Sequence, residues 1–310
     1  MDEGFKQRLR DNYWYLRELF ASSLKLDHIY LNDGDLKKYG IKVSQLSLSE
    51  EEAKTSQAVH FFKPLPSKDF EKLYLSPFTL PPYEPECGIC NALGLANHVL
   101  ESLGDTIPIE KRPSKKKFSV LTCTVWDLAG YGLRTADGLC ETRGKMATDY
   151  EWRIHQVLSA AGTNEPHIVL FSVHNLVPEA NQELTLTRGE ITLLLRMILE
   201  RMESASDGEC EIFPVLMVSL FLRHVRLVQA YFDGEFLHMK IAPFINLTTY
   251  DKGKVDLLLR HILGNPVGNT RMPTKSVLPN TQTPAQAQAQ PNPAQKSTTK
   301  TKIQSRPAHR

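Results

Sequence analysis

The stretch FPVLMVSLFLRHVRLVQAYFDGEFLHMKIAPFI, residues 213–245, decides the fold. Its first part, Phe213–Leu222, is apolar almost without interruption, as in a strand buried on both faces. His224–Phe232 and Glu235–Ile245 follow, separated by Asp233-Gly234, a hairpin signal because glycine supplies the positive φ that tight turns need. Connections this short join only antiparallel neighbours. Residues 213–245 therefore read as three antiparallel strands, with 213–222 in the middle of a sheet.

Upstream, His167–His174 is a further β-branched, apolar strand. Thr187-Arg188-Gly189-Glu190 then has capping-box form, in which the hydroxyl caps the first turn and the Glu three residues on reaches back. It predicts a helix over 190–203. Three more helices are predicted, at Asp149–Ala161, at Cys90–Leu103 before Gly104-Asp105, and at Lys252–Leu263 before Gly264 and Pro266. Phe118–Asp127 reads as a strand, and the glycine-rich region Gly130 to Gly144 as holding a short hairpin strand near 139–142. The pattern is α/β (α+β): a mixed central sheet with an antiparallel C-terminal hairpin and helices packed on it.

Nearer the N-terminus, Phe5, Leu9, Tyr13, Leu16, Phe20 and Leu24 form one stripe of an amphipathic helix over 3–24. Asp33-Gly34-Asp35 reads as a turn, and Ser47 or Ser49 before three glutamates as a helix start. The stretch 76–85 holds four prolines in ten residues and must be extended. The expected organisation is a small helical N-terminal module with a proline-rich connector (1–85), an α/β core domain (86–268) and a disordered basic tail (269–310).

The tail carries seven basic residues and no acidic one, which leaves 30 basic against 35 acidic residues in 1–268. An acidic body argues against a domain whose whole surface grips duplex phosphates. The tail, poor in apolar residues, cannot offset its ordering entropy, and its charge suits weak contact with nucleic acid or acidic partners. The N-terminus is charged from its second residue, with no apolar leader, and no apolar run is long enough to span a bilayer. Five cysteines, an odd number, read as thiols. The expectation is a cytoplasmic or nuclear protein with no membrane contact.

Two motifs carry candidate chemistry. Cys87-Gly88-Ile89-Cys90 opens a helix, where a thiol pKa falls, so it suits redox exchange or, with His98 and Cys123, zinc. The plain alternative is two ordinary thiols. Asp127, Glu141, Arg143 and Lys145 suggest a metal-dependent nuclease, in which an Asp and a Glu from adjacent strands hold Mg²⁺ and a Lys two residues after the Glu activates water. Here that position is Arg143, which does not lose its proton, and the alternative is solvated charge on a glycine-rich loop.

Helix 190–203, Phe213–Ser219, Val225–Glu235 and helix 252–263 together resemble uncharacterised fungal proteins with a degenerate restriction-endonuclease-like PD-(D/E)XK fold. The resemblance covers about a quarter of the chain. It implies an Asp and a Glu-x-Lys on the last sheet strands, where this chain has His238-Met239-Lys240. No nucleotide-cradling glycine motif, nucleophile elbow or H-E-x-x-H is present. Arg223, Arg226 and Lys240 read either as a basic strip or as charges that discourage edge pairing. The composite expectation is a non-catalytic interaction or scaffold protein needing no cofactor, the alternative being a nuclease-like enzyme using Mg²⁺.

Overall fold

Along the chain, α1 (Glu3–Ser23) and the short α2 (Asp33–Lys38) lead into β1 (Ile41–Gln45). A two-residue strand β2 (Phe62–Lys63), the turn-length α3 (Ser67–Phe70) and α4 (Gly88–Gly104) come next. Then come β3 (Trp126–Leu128), β4 (Arg143–Lys145), β5 (Glu151–Ala160), β6 (Ile168–His174) and α5 (Arg188–Ser204). The chain continues through β7 (Val215–Phe221), β8 (His224–Phe232), β9 (Leu237–Ile241), β10 (Ile245–Asn246), α6 (Lys252–Ile262) and β11 (Asn265–Pro266). This computed structural model describes residues 3–49, 60–73, 78–104, 120–129, 143–160, 165–204 and 210–271.

Nine strands form one mixed sheet in the order β1-β9-β8-β7-β6-β5-β3, with β10 beside β8 and β4 beside β5. β7, β8 and β9 are antiparallel neighbours, as their short connections require. β6 and β7 are parallel, and α5 makes the crossover between them. The helices cover both faces. α1 and α5 bury Leu16, Phe20, Leu194 and Ile198 against the side that carries Leu170, Met217 and Val228. α4 and α6 bury Leu95, Val99, Leu258 and Ile262 against Phe171, Val218 and Leu227 on the other. Among the described residues no helix is long and apolar enough to cross a membrane.

The hairpin at Asp233-Gly234 forms: Gly234 adopts φ 92°, and Asp233 Oδ1 accepts from the amides of Glu235 and Phe236. The capping box forms too, with Glu190 Oε2 accepting from Thr187 N and Thr187 Oγ1 accepting from Glu190 N.

Several expectations are corrected. Residues 151–160 are a strand rather than a helix. A bulge between Ile154 and Gln156 breaks the period of two, so buried Ile154, Val157 and Leu158 fall at helical spacing. Asp33-Gly34-Asp35 is the first turn of α2, capped by Asn32, whose backbone amide donates in return to Asp35. The strand expected over 118–127 shrinks, within the described part, to Trp126–Leu128 after a turn at 121–123. The body runs past residue 268, because the Thr270 carbonyl accepts from the amides of both Glu211 and Ile212. Within residues 3–45, β1 joins the common sheet and α1 lies on α5, so the N-terminal segment shares one core with the rest. The helix expected after Ser49, the hairpin strand near 139–142 and the tail beyond Arg271 lie outside the described residues.

Candidate functional site

Gln229 lies in β8 among Leu227, Val228, Ala230 and Tyr231, and Lys240 faces it across β9. Both are almost fully buried, on the α4–α6 side of the sheet. Above them passes His60-Phe61-Phe62-Lys63, whose β2 pairs with β11 as a small antiparallel ribbon. Phe61 packs edge-on against Tyr231 at 4.8 Å, and Phe62 stacks on Trp126. Trp126 Nε1 donates to Gly264 O at 2.7 Å, and Val267 N donates to Phe61 O. Two glycines allow this approach. A Cβ on Gly264 would lie 2.6 Å from Lys63 O, and Gly268, at φ 89°, would place one 2.7 Å from His60 O.

Between ribbon and sheet lies a cavity of about 480 Å³. Leu46, Phe62, Pro64, Pro66, Leu216 and Val267 form its apolar walls, and His60, Gln229 and His261 supply polar atoms. Gln229 Nε2 and His60 Nε2 are buried with no hydrogen-bond partner among the described residues. That is costly, since an unsatisfied buried donor forfeits about 1–3 kcal/mol. Burial and the nearby Lys240 charge push the His60 pKa down, and burial lowers that of Lys240. His261, whose Nε2 contacts Leu48 O at 3.4 Å, is pushed down to about 4 by burial. The cavity thus presents the Gln229 donor with the buried Lys240 charge beside it, and Ser47 and Lys63 add polar groups to a lining that is otherwise largely hydrocarbon. Such a site accepts an amphipathic molecule with an acceptor-rich head.

On the opposite face a second set of polar residues is sealed. Arg226 Nε donates to Glu190 Oε1 at 2.8 Å while its Nη2 bonds Oε2, and both residues are fully buried. Thr187 Oγ1 donates to Glu190, Tyr150 OH donates to Thr187, and Tyr150 OH also contacts His174 Nδ1 at 2.8 Å. His174 Nε2 meets the hydroxyls of Ser172 and Ser219. Burial pushes the Glu190 carboxyl up, but Arg226, His174 and the Thr187 amide outweigh it and hold the pKa below the usual range. Arg226 also donates to the carbonyls of Glu183 and Thr185, pinning the loop that leads from β6 to α5. Every member has partners and all are buried. This network is a clamp, since a reactive centre needs access for its substrate.

The sequence-derived candidates are dispersed. Asp127 is exposed on β3, opposite Ser159 of β5, and accepts from Leu128 N. Arg143 begins β4, opposite Arg153 of the same strand. Six residues of β5 separate the two registers, about 20 Å at strand rise, so Asp127 and Arg143 are not brought together. Glu141 lies outside the described residues. Cys87 and Cys90 are joined in a disulfide, a correction to the reading of all five cysteines as thiols. The carboxylate of Glu84 lies within 4.8 Å of both sulfurs. Arg226 and Lys240 point to opposite faces, so no basic strip forms; the expectation that they guard an exposed edge fails as well, because both are buried.

Sequence reasoning missed Gln229 and His60. The available signal was a lone amide inside an apolar strand, a position that demands a partner. Compared with known protein families, curated proteins and solved structures, the chain matches none.

Proposed function

We propose that the chain is a non-catalytic binding protein whose cavity holds a small amphipathic anion. The observation that supports this reading is the Gln229 amide, buried at the floor of the cavity with its nitrogen unsatisfied. A ligand carboxylate or sulfonate would accept from that nitrogen, and the Lys240 charge beside it favours a negative head. Phe62, Pro64, Pro66 and Val267 would cover the ligand's hydrocarbon body. The volume suits a ligand of ordinary small-molecule size.

The probe is anilinonaphthalene sulfonate, an aromatic body with an anionic head, displaced by decanoate and, more weakly, by decanol. Saturable one-to-one fluorescence is expected. Gln229→Leu keeps the shape and deletes the donor, which should weaken decanoate binding about tenfold, one charge-assisted hydrogen bond. Decanol should lose less. If the probe does not saturate, or Gln229→Leu binds decanoate as the natural chain does, the cavity is not a site of this kind.

A further inference from the structure

The Cys87–Cys90 bond spans three residues at the entrance of α4. A cross-link this local removes little freedom from the unfolded chain, because the stabilisation grows with the size of the closed loop. The segment it spans is already fixed by other means. The buried Asn91 side chain accepts from Glu84 N at 2.9 Å and donates to Glu84 O at 2.6 Å and to Cys87 O at 3.0 Å. As a fastener the disulfide is redundant. Its placement favours the reduced form instead. Cys87 occupies the position before the first residue of a 17-residue helix, and its sulfur accepts from Cys90 N at 3.3 Å. A thiolate there sits against the positive end of the helix and keeps that amide as a donor. Both cysteines are partly exposed, so the pair lies at the surface where a second thiol can approach. The Glu84 carboxylate, exposed and within 4.8 Å of both sulfurs, stands where it can relay a proton from water to a departing thiolate.

We propose that Cys87–Cys90 is an exchange disulfide that passes electrons to and from low-molecular-weight thiols of the glutathione class, with Cys87 as the attacked sulfur. In the reducing direction a glutathione thiolate attacks Cys87 Sγ. The Cys87–Cys90 bond breaks, Cys90 leaves as a thiolate and takes a proton, and a mixed disulfide forms on Cys87. A second glutathione thiolate attacks the glutathione sulfur of that adduct, releasing Cys87 as a thiolate and oxidised glutathione. Two glutathiones are oxidised by two electrons and the protein disulfide is reduced by two. The site shares no residue with the cavity described above, so the two readings stand or fall separately.

The test equilibrates the full chain in buffers of graded reduced and oxidised glutathione, quenches with acid, alkylates, and reads each cysteine by peptide mass. Cys87 and Cys90 should convert together within the range of those buffers. Cys90→Ser should accumulate the glutathione adduct on Cys87, and Cys87→Ser should accumulate far less on Cys90. The exposed free thiol Cys123 is the internal standard. In Cys90→Ser, iodoacetamide should react with Cys87 several-fold faster than with Cys123 at neutral pH, because the positive end of α4 favours a thiolate at Cys87. Melting temperatures of both variants should match the natural chain. A pair that stays oxidised throughout, with variants that melt markedly lower, would make the bond a structural one and overturn the proposal. So would reduced protein that binds one zinc ion per chain through these sulfurs, or a Cys87 no more reactive than Cys123.

Discussion

Lowering the pH from 7.5 to 5.5 should cost this fold about 4 kcal/mol, and three buried imidazoles set that figure. His167 and His174 are fully buried and His261 nearly so. Burial pushes the pKa of each down to about 4, whereas an unfolded chain holds them near 6.5. Between those two values the unfolded state binds the proton and the folded state does not. Stability is therefore full above about pH 6.5, falls as the pH drops toward 4, and levels off below that. Over the two units considered, each histidine costs about 1.3 kcal/mol, or ~4 kcal/mol together, a large share of the 5–15 kcal/mol of an ordinary domain. His28, whose pKa is raised by hydrogen bonds to Asp27 and Asp35, acts in the opposite sense. Its contribution is present below pH 6.5 and lost as the pH rises through its folded value, but the site is more than a third exposed and solvent screens it. Urea unfolding followed by the fluorescence of buried Trp126 and Trp152 measures the effect at three pH values. His261→Asn should remove about a third of the slope. A fall of less than ~1.5 kcal/mol would mean that the native imidazoles are hydrated, and the reasoning from burial would be refuted.

Two further outcomes follow from the clamp and the C-terminal segment. Arg226→Met leaves the Glu190 carboxylate buried without its cation and should cost about 3–5 kcal/mol in urea unfolding; adding Glu190→Gln should recover part of the loss, and no recovery would remove the ion pair as its cause. Deleting 273–310 should leave the melting temperature unchanged while removing six of the seven tail cations, and with them any low-salt retention on nucleic acid. Deleting 269–310 should in addition lower the melting temperature by several degrees, because the amides of Glu211 and Ile212 lose the Thr270 carbonyl that accepts from both.

The elements that sequence reading found are those whose signal is local. Asp233-Gly234 and Thr187–Glu190 each carry their instruction within four residues, and both form as read. β5 was misread because its bulge leaves Ile154, Val157 and Leu158 at helical spacing, and only the pairing with β6 decides between the two periods. β1 has two apolar residues, Ile41 and Val43, too few to announce a strand whose partner lies at 237–241. The cavity was less legible still. His60 and His261 stand 201 positions apart, and it is the β2–β11 ribbon that brings them to one place. Which face Lys240 occupies follows from its register opposite Gln229, and register is a tertiary fact.

The pairing of β1 with β9 also sets a timetable. During synthesis Ile41–Gln45 leaves the ribosome about 200 residues before Leu237–Ile241 exists. At 5–20 residues per second, that is a wait of roughly 10–40 s. Through that interval the segment is a strand without a sheet, and α1 waits likewise for α5. Such long-range closure slows folding, because distant contacts reward the chain only after the intervening loop is ordered. Lys42 and the shortness of β1 limit what it can pair with meanwhile. The segment that carries β1 is thus made long before it can be placed, so a nascent chain stalled before residue 237 would expose it to chaperones and proteases.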